Sequence, residues 1–192
     1  MAKKLSRYFY NRPTLIVAKE LLGKYIVRKI GKKKLVGKIV ETEAYIGPRD
    51  KASHSYGGKI TDRSKTFYLK GGHLYIYLCY GIYWMLNIVT EKENKPEAVL
   101  IRALEPIGNC DSKNIQNLST GPGKLCRWLK INKSFNEIDL VESEKIWLED
   151  RGDKIKKSQI KAAKRIGVDY AGDWAKKPWR FYLLNNPFVS RQ

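Results

Sequence analysis

A short segment, residues 39–55, constrains this chain most, because it places two carboxylates at the end of an apolar strand. A β-branched pair opens the segment, as is typical of a strand, and Glu41 and Glu43 follow it. Successive strand side chains point to opposite faces, so Glu41, Glu43 and Tyr45 are expected to share one face. A Gly-Pro turn then allows His54 to return toward them. An acid, an aromatic ring and an imidazole beside a strand end make a candidate site. Solvated carboxylates with Tyr45 in the core would give the same pattern.

The apolar pattern elsewhere predicts both strands and helices, with no internal repeat. The predicted strands are residues 25–30, 35–45, 73–80, 83–90, 98–104, 145–148 and 179–184. The first four form two hairpins, the first of them turning at residues 31–33. The predicted helices are residues 14–22 with Thr14 as N-cap, residues 124–131, and residues 158–166, a basic helix closed by Gly167. Residues 46–66 are predicted as a loop, and residues 107–120 as a loop with one helical turn. Loops as long as the first are usually functional or mobile.

The second hairpin and the strand after it carry residues that do not suit a plain core. Tyr80 falls at the hairpin turn, where a bulky ring is poorly placed for a core and well placed for a wedge. Asn87 is a single polar residue in an apolar strand, so it needs a hydrogen-bond partner or a function. Arg102 interrupts the next strand and, if that strand is central, needs a carboxylate such as Glu43. The structural alternatives are an Asn87 paired with main chain at a bulge and an Arg102–Glu43 pair with no catalytic role.

The charge of the chain points to a polyanionic partner. Lys and Arg number 38 against 19 acidic residues, for a net charge of +19. Such an excess favours a nucleic acid, and the 12 Tyr and 5 Trp would suit base stacking. The alternative is a solvated, Lys-rich surface. The Thr-Gly-Pro-Gly run before residue 124 predicts a helix N-terminus that can bind phosphate, and Arg63, Lys65 and Lys124 are the predicted phosphate contacts.

Several classes of protein are disfavoured by the same sequence. It has no apolar run of membrane length, and its basic N-terminus lacks the apolar region of a signal peptide, so we expect a soluble intracellular protein of one domain. Cys79, Cys110 and Cys126 are odd in number and far apart, which argues against disulfides and structural zinc. His54 and His73 are too few for an imidazole-rich metal centre.

Several blocks together resemble the alkyladenine, or 3-methyladenine, DNA glycosylases of the mammalian type, and not the helix-hairpin-helix glycosylases. The resemblance runs in order from about residue 8 to residue 190. The blocks are Glu-Thr-Glu-Ala-Tyr-x-Gly-Pro-x-Asp (41–50), the loop to His54, Leu-Tyr-Ile-Tyr-x-x-Tyr-Gly (74–81), Asn87, Leu-Ile-Arg-Ala-Leu-Glu-Pro (100–106), Arg-Ile-Gly-Val (165–168) and Lys-Pro-Trp-Arg-Phe-Tyr (177–182).

The resemblance implies a catalytic group built on Glu43, which matches the family's general base for a water that attacks the sugar C1′. Arg102 matches a residue that orients this water. The main-chain carbonyl of Ile166 matches a further water ligand, and it should be free because the last carbonyls of a helix lack partners within the helix. Tyr80 matches the residue that fills the space left by a nucleotide flipped out of the duplex.

A base pocket is implied as well, and its matching residues are Tyr45, Ala52, His54, Tyr77, Asn87 and Leu100. Tyr45, His54 and Tyr77 match the walls that stack on and hydrogen-bond the extruded base. Ala52 and Leu100 match small apolar parts, and Asn87 matches a residue that clashes with the 2-amino group of guanine. Taken singly, Tyr77 could be a core aromatic and His54 a loop histidine that caps a backbone group.

The implied protein is an α+β enzyme of base-excision repair, with one compact domain over residues 1–192. Its curved, mainly antiparallel sheet has flanking helices and a Tyr-bearing hairpin that protrudes toward DNA. It would excise alkylated or deaminated purines without a lyase step, a metal or a cofactor. Its partner would be damaged double-stranded DNA, with no membrane and no obligate protein partner. We expect a monomer, cytoplasmic and nucleoid-associated in a bacterium or nuclear in a eukaryote.

Two other functions compete with this interpretation. A non-catalytic basic module that binds or bends DNA would use Tyr80 and the positive charge, but it would have no use for Glu43. An RNA-directed binding protein would read 2′-hydroxyls and single-stranded loops, for which the sequence shows no selection. Turnover separates the enzyme from both.

Overall fold

The computed structural model describes residues 2–108 and 115–191, and Cys110 lies outside them. In this part of the chain, nine strands form one antiparallel sheet accompanied by short helices, so the expected α+β fold is confirmed. The strands are β1 (Lys3–Lys4), β2 (Tyr25–Ile30), β3 (Lys33–Tyr45), β4 (Leu74–Cys79), β5 (Tyr83–Thr90), β6 (Glu97–Ile107), β7 (Ile146–Asp150), β8 (Ile160–Ala163) and β9 (Arg180–Leu183). The α-helices are α1 (Arg7–Tyr10), α2 (Thr14–Glu20), α3 (Ile115–Ser119) and α4 (Pro122–Trp128). Short 3₁₀ segments occupy Gly47–Arg49, Tyr56–Gly58, Lys65–Tyr68, Lys133–Phe135, Lys157–Gln159 and Asp169–Lys176.

Strand β3 is central, because three other strands pair with it. The order across the sheet is β1-β7-β2-β3-β6-β5-β4, while β9 pairs with β3 and β8 pairs with β9. Residues 33–38 of β3 pair with β2, residues 41–43 pair with β9, and β6 runs along the other edge. The register against β6 shifts on both sides of Glu41, at the point where the partner on the first edge changes. Glu41 and Glu43 therefore lie in the middle of the sheet, between β6 and β9.

The two faces of β3 differ in character. Val40 and Ala44 are fully buried in the main apolar core, and Thr42 between them donates its hydroxyl proton to the carbonyl of Ala18 at 2.8 Å. The same core includes Leu125 of α4. One face is thus anchored to helices, which leaves the other face to the carboxylates.

All seven predicted strands are present, with ends shifted by at most three residues. The turn of the first hairpin is one residue shorter than predicted, because Ile30 pairs with Lys33 and only residues 31 and 32 are left between them. The helices predicted at residues 14–22 and 124–131 correspond to α2 and α4. Thr14 is not the N-cap, however: Pro13 takes that extended position, and the Thr14 hydroxyl donates to Glu97 Oε2 at 2.5 Å.

The predicted basic helix over residues 158–166 is wrong. That segment holds a 3₁₀ turn followed by β8, which pairs with β9 from Ile160↔Leu183 to Ala163↔Arg180. Its lysines and alanines favour a helix locally. Strand β9 otherwise presents an unpaired edge on this side, and backbone pairing with it outweighs the local preference.

Within the described residues, no helix has both the length and the apolar character needed to cross a membrane.

Candidate active site

Glu43 is the centre of the candidate site, and the solvated alternative for it is wrong because its side chain is fully buried. Its Oε1 accepts a hydrogen bond from the Ile166 main-chain N–H at 2.8 Å and lies 3.3 Å from Arg102 Nη1. Its Oε2 accepts a hydrogen bond from the Tyr45 hydroxyl at 2.9 Å. Three separate segments therefore hold one carboxylate: the end of β3, the middle of β6 and the turn after β8.

Burial raises the pKa of Glu43 above its ordinary value, and the Arg102 guanidinium, the Ile166 N–H and the Tyr45 hydroxyl oppose this rise. Burial also raises the pKa of Tyr45 well above its ordinary value, so its phenol keeps its proton and acts as a donor to Glu43. A carboxylate oxygen can accept two hydrogen bonds. Oε2, with the single donor Tyr45 among the described residues, keeps the capacity to accept one from water.

A cavity of about 490 Å³ opens beside this carboxylate, and Tyr45, Arg102 and Ile166 all line it. Most of the predicted site residues come together on its walls: Tyr45, Ala52, His54, Arg63, Tyr77, Tyr80, Asn87, Leu100, Arg102 and Ile166. These residues span the sequence from β3 to the turn after β8. A volume of this size is typical of a small-molecule or base site. A larger cavity of about 780 Å³ lies on another part of the molecule, beside α2, and contains none of them.

One wall of the cavity is aromatic. The rings of Tyr75 and Tyr77 stack with centroids 5.3 Å apart, and the His54 ring meets Tyr77 edge-on at 4.5 Å. The Arg63 guanidinium lies over the Tyr77 ring at 5.4 Å and donates to His54 Nε2 at 3.3 Å. Because a guanidinium can only donate, Nε2 is the acceptor, and His54 Nδ1–H donates to the Tyr75 hydroxyl at 2.9 Å. Burial, with a smaller contribution from Arg63, lowers the pKa of His54 to about 4, so the imidazole is neutral at pH 7.

Asn87 and Leu100 face each other across the β5–β6 pair and are both buried. The Asn87 amide donates to the main-chain carbonyl of Tyr75 at 3.2 Å. Asn87 is therefore paired with the main chain, as the interpretation without a functional role also predicted. This bond fixes the amide on the cavity wall, and the side chain therefore limits the shape of whatever enters.

The tip of the β4–β5 hairpin carries Tyr80, which is 85% exposed. Tyr80 and Gly81 both have positive φ, of 51° and 70°, in a tight turn closed by the Ile82 N–H to the Cys79 carbonyl at 3.1 Å. A non-glycine residue seldom adopts such a φ, and where it does the strain is often linked to function. Ile82 is also exposed, so the tip presents an apolar edge to solvent.

Three predicted residues make contacts other than those expected. Ile166 lies at the site, but its expected place at the end of a helix is wrong: it follows β8, and its contact with Glu43 is made by its N–H. Lys124, on α4, reaches Asn117 Oδ1 at 3.5 Å, and Lys65 lies 3.6 Å from Asp62; neither lines the cavity. Their phosphate roles stay predictions.

The sequence reasoning missed a buried ion pair that supports the site. Arg165 and Asp50 are both fully buried and joined by two bonds, Nη1–Oδ2 at 2.5 Å and Nη2–Oδ1 at 2.8 Å. Arg165 also donates to the carbonyl of Ala44, and Asp50 accepts the N–H of Ala52. The pair therefore ties the end of β3, the following loop and the turn before Ile166 to each other. Both residues lie within blocks that resemble the glycosylase family, 41–50 and 165–168, and this resemblance was the one signal in the sequence that could have drawn attention to them.

Tyr170 was missed as well. It lines the same cavity, is 72% exposed, and its hydroxyl donates to the Ala52 carbonyl at 3.4 Å. It lies in the 3₁₀ segment Asp169–Lys176, which falls between two of the matching blocks and inside neither. Among the described residues, no group of three or more His, Cys, Asp or Glu side chains is arranged to hold a metal ion.

The chain is similar to proteins of one family along nearly its whole length. The family model described as methylpurine-DNA glycosylase matches residues 8–187. A protein of Alkaliphilus oremlandii is 46% identical over 98% of this chain and all of its own length, and one of Clostridium perfringens is 47% identical with the same coverage. A protein of Borreliella burgdorferi is 46% identical over 98% of this chain and all of its own length. The names of all three assign them to the 3-methyladenine DNA glycosylases.

Proposed function

This chain belongs to the methylpurine-DNA glycosylase family, and from that premise we propose that it hydrolyses the N-glycosidic bond of a flipped-out purine with a water activated by Glu43. The family makes it a hydrolase of N-glycosyl bonds in DNA. What supports the finer mechanism is one observation: a buried carboxylate of raised pKa stands beside a cavity, with one oxygen able to accept a water.

Access to the base requires that the nucleotide leaves the helix, because the bond to be broken is shielded in the base stack. The exposed Tyr80 at the hairpin tip is suited to enter the duplex and fill the vacated space. The extruded base would then stack against Tyr77 and the edge of His54 and contact Tyr45. The net charge of +19 supplies the attraction for the phosphate backbone.

The chemical step follows from the contacts of Glu43. As the bond between C1′ and the base nitrogen breaks, the base leaves with the bonding electrons and the sugar gains oxocarbenium character. The Glu43 carboxylate, as a nearby anion, would stabilise this charge. The water oxygen then bonds to C1′ and its proton passes to Glu43 Oε2. Arg102 Nη1 and the carbonyl of Ile166 would orient the water. A general base placed in this way is typically worth about two to four orders of magnitude in rate.

Selectivity would have two sources. Purines alkylated at N3 or N7 are cationic and leave as neutral bases, so they need no acid. The fixed Asn87 side chain would clash with the 2-amino group of guanine and exclude normal guanine. Neutral lesions such as hypoxanthine require a proton as they leave, and His54 is not suited to supply it because its pKa of about 4 leaves it neutral at pH 7.

We also propose that the enzyme stops at the abasic site, since no lysine is placed as a Schiff-base nucleophile among the residues that line the cavity. Residues 1–192 act as one domain and as a monomer, without a further protein partner. The enzyme works on damaged double-stranded DNA of the chromosome.

The test is excision from labelled duplexes that contain one ethenoadenine, hypoxanthine or methylated purine, under single-turnover conditions. We expect release of the base and strand scission only after alkali, because alkali cuts the abasic product. Scission without alkali would contradict the monofunctional mechanism. Binding of every duplex without release of any base would contradict the enzyme and favour the non-catalytic DNA-binding module.

A further inference from the structure

Glu41 lies behind the candidate active site and has no part in the mechanism above. Like Glu43, it is fully buried on β3 and does not itself line the cavity, but unlike Glu43 it accepts no hydrogen bond from Tyr45 or Ile166, which do. Its Oε1 accepts hydrogen bonds from Arg102 Nε at 3.0 Å and from Arg180 Nη1 at 2.9 Å. A carboxylate that is buried at this depth needs such partners, and these two arginines compensate its charge.

The end of the chain completes this arrangement. The main-chain N–H of Ser190 donates to Glu41 Oε2 at 2.7 Å, and the Arg191 carbonyl accepts from Arg180 Nη1 at 2.7 Å. Arg180 also donates from Nε to the carbonyl of Lys164, at the end of β8. Glu41 thus joins β3, β6, β9 and the C-terminal residues, and the bonds to it hold both arginines at fixed positions.

Glu41 affects catalysis by orienting the Arg102 side chain. A guanidinium is planar, so a hydrogen bond at Nε sets the directions of both Nη groups. With Nε held by Glu41, Arg102 Nη1 lies 3.3 Å from Glu43 Oε1, and Nη2 lies 3.4 Å from Ser190 Oγ. Without Glu41, the guanidinium would be free to turn and pair fully with Glu43. A carboxylate in a full ion pair is a weaker base, and the water would lose its orientation.

We propose that Glu41 is a positioning residue of this glycosylase: with the C-terminal Ser190 and Arg191, it holds Arg102 so that Glu43 keeps the basicity and the free oxygen that water activation needs. This inference rests on the proposed role of Glu43. The negative charge of Glu41 also contributes to the raised pKa of Glu43. The charged and titratable groups around Glu43, from every strand and turn next to it, are Glu41, Tyr45, Tyr77, Arg102, Arg165 and Arg180.

The test compares Glu41→Gln with wild type in single-turnover excision of a cationic methylated purine across a range of pH, together with duplex affinity. The variant should show a plateau rate lower by about tenfold to a hundredfold, as expected when a catalytic group is misplaced. Its affinity for the duplex should stay unchanged. The acidic limb of its rate profile should move to lower pH, because Glu43 loses a neighbouring negative charge.

The matched control is Glu149→Gln on β7, which removes another sheet carboxylate paired with an arginine, Arg151, at 2.7 Å. It should behave as wild type. A Glu41→Gln rate equal to wild type would overturn the inference, and so would a slower rate with an unmoved acidic limb, since a merely structural role predicts that result.

A second variant decides the question if Glu41→Gln does not fold. A chain that ends at Val189 lacks the Ser190 N–H and the Arg191 carbonyl but keeps Glu41, Arg102 and Glu43. We expect excision several-fold slower with unchanged duplex affinity, and a wild-type rate would overturn the inference. Absence of excision by wild type itself would instead refute the proposed function, so the two failures are distinguishable.

Discussion

Removal of Asp50 should destabilise the protein strongly, although Asp50 lies in a loop. Asp50→Ala would leave the Arg165 guanidinium fully buried, with two main-chain carbonyls, of Ala44 and Trp174, as its acceptors among the described residues. Breaking a buried ion pair by removing one partner costs about 3–5 kcal/mol, because the remaining charge is neither paired nor solvated. For a chain of this length, each kcal/mol lowers Tm by about 2–4 °C, so a decrease of roughly 6–20 °C is expected.

Thermal unfolding followed by circular dichroism measures this effect. The control is Asp173→Asn, which removes an exposed ion pair to Lys176 at 2.7 Å and should leave Tm unchanged. A variant that combines Asp50→Ala with Arg165→Met should be more stable than Asp50→Ala alone, because it no longer buries an unpaired charge. A free energy of unfolding for Asp50→Ala within about 1 kcal/mol of wild type would refute the reasoning.

Three other outcomes are expected. Burial raises the pKa of Glu43 above 4.5, so the folded state favours its protonated form, and the stability from this group is lost as pH rises through the raised pKa. Glu43→Gln, which cannot ionise, should therefore have a higher Tm than wild type at pH 8, and the difference should vanish toward pH 4; a constant difference would contradict this. The pKa of His54 is lowered from 6.5 to about 4, so the stability it contributes above pH 6.5 is lost as pH falls through that window, and His54→Gln should flatten the pH dependence of Tm there; an unchanged slope would contradict the lowered pKa. Tyr80→Ala should leave Tm unchanged because the side chain is exposed, but it should slow excision about tenfold by removing the ring that fills the duplex; an unchanged excision rate would contradict the wedge.

The strands could be predicted from sequence because their signals are local. In β4 and β5, apolar and aromatic residues continue up to a turn that contains Gly81, and the hairpin forms at that place. The helix predicted over residues 158–166 is wrong for the opposite reason. Its structure as β8 depends on pairing with β9, about twenty residues further along the chain, and no local preference reports that pairing.

The candidate site could be predicted only where its contacts join residues that are close in sequence. Glu43 and Tyr45 are neighbours on one strand, so their contact followed from strand geometry. The contact of Glu43 with Ile166 joins residues 123 positions apart, and the pair of Arg165 with Asp50 joins residues 115 positions apart. Periodicity carries no information at such separations, and only the matching blocks indicated that these segments belong together.

The most direct test of the central claim is the single-turnover rate of base release by Glu43→Gln, measured beside wild type and Glu149→Gln on the same ethenoadenine duplex. Glutamine keeps the size of the side chain but cannot accept the proton of the water. We predict that release by Glu43→Gln falls by at least about two orders of magnitude while its duplex affinity and the rate of Glu149→Gln stay at wild-type values. Equal release by Glu43→Gln and wild type would contradict the account and place the general base elsewhere.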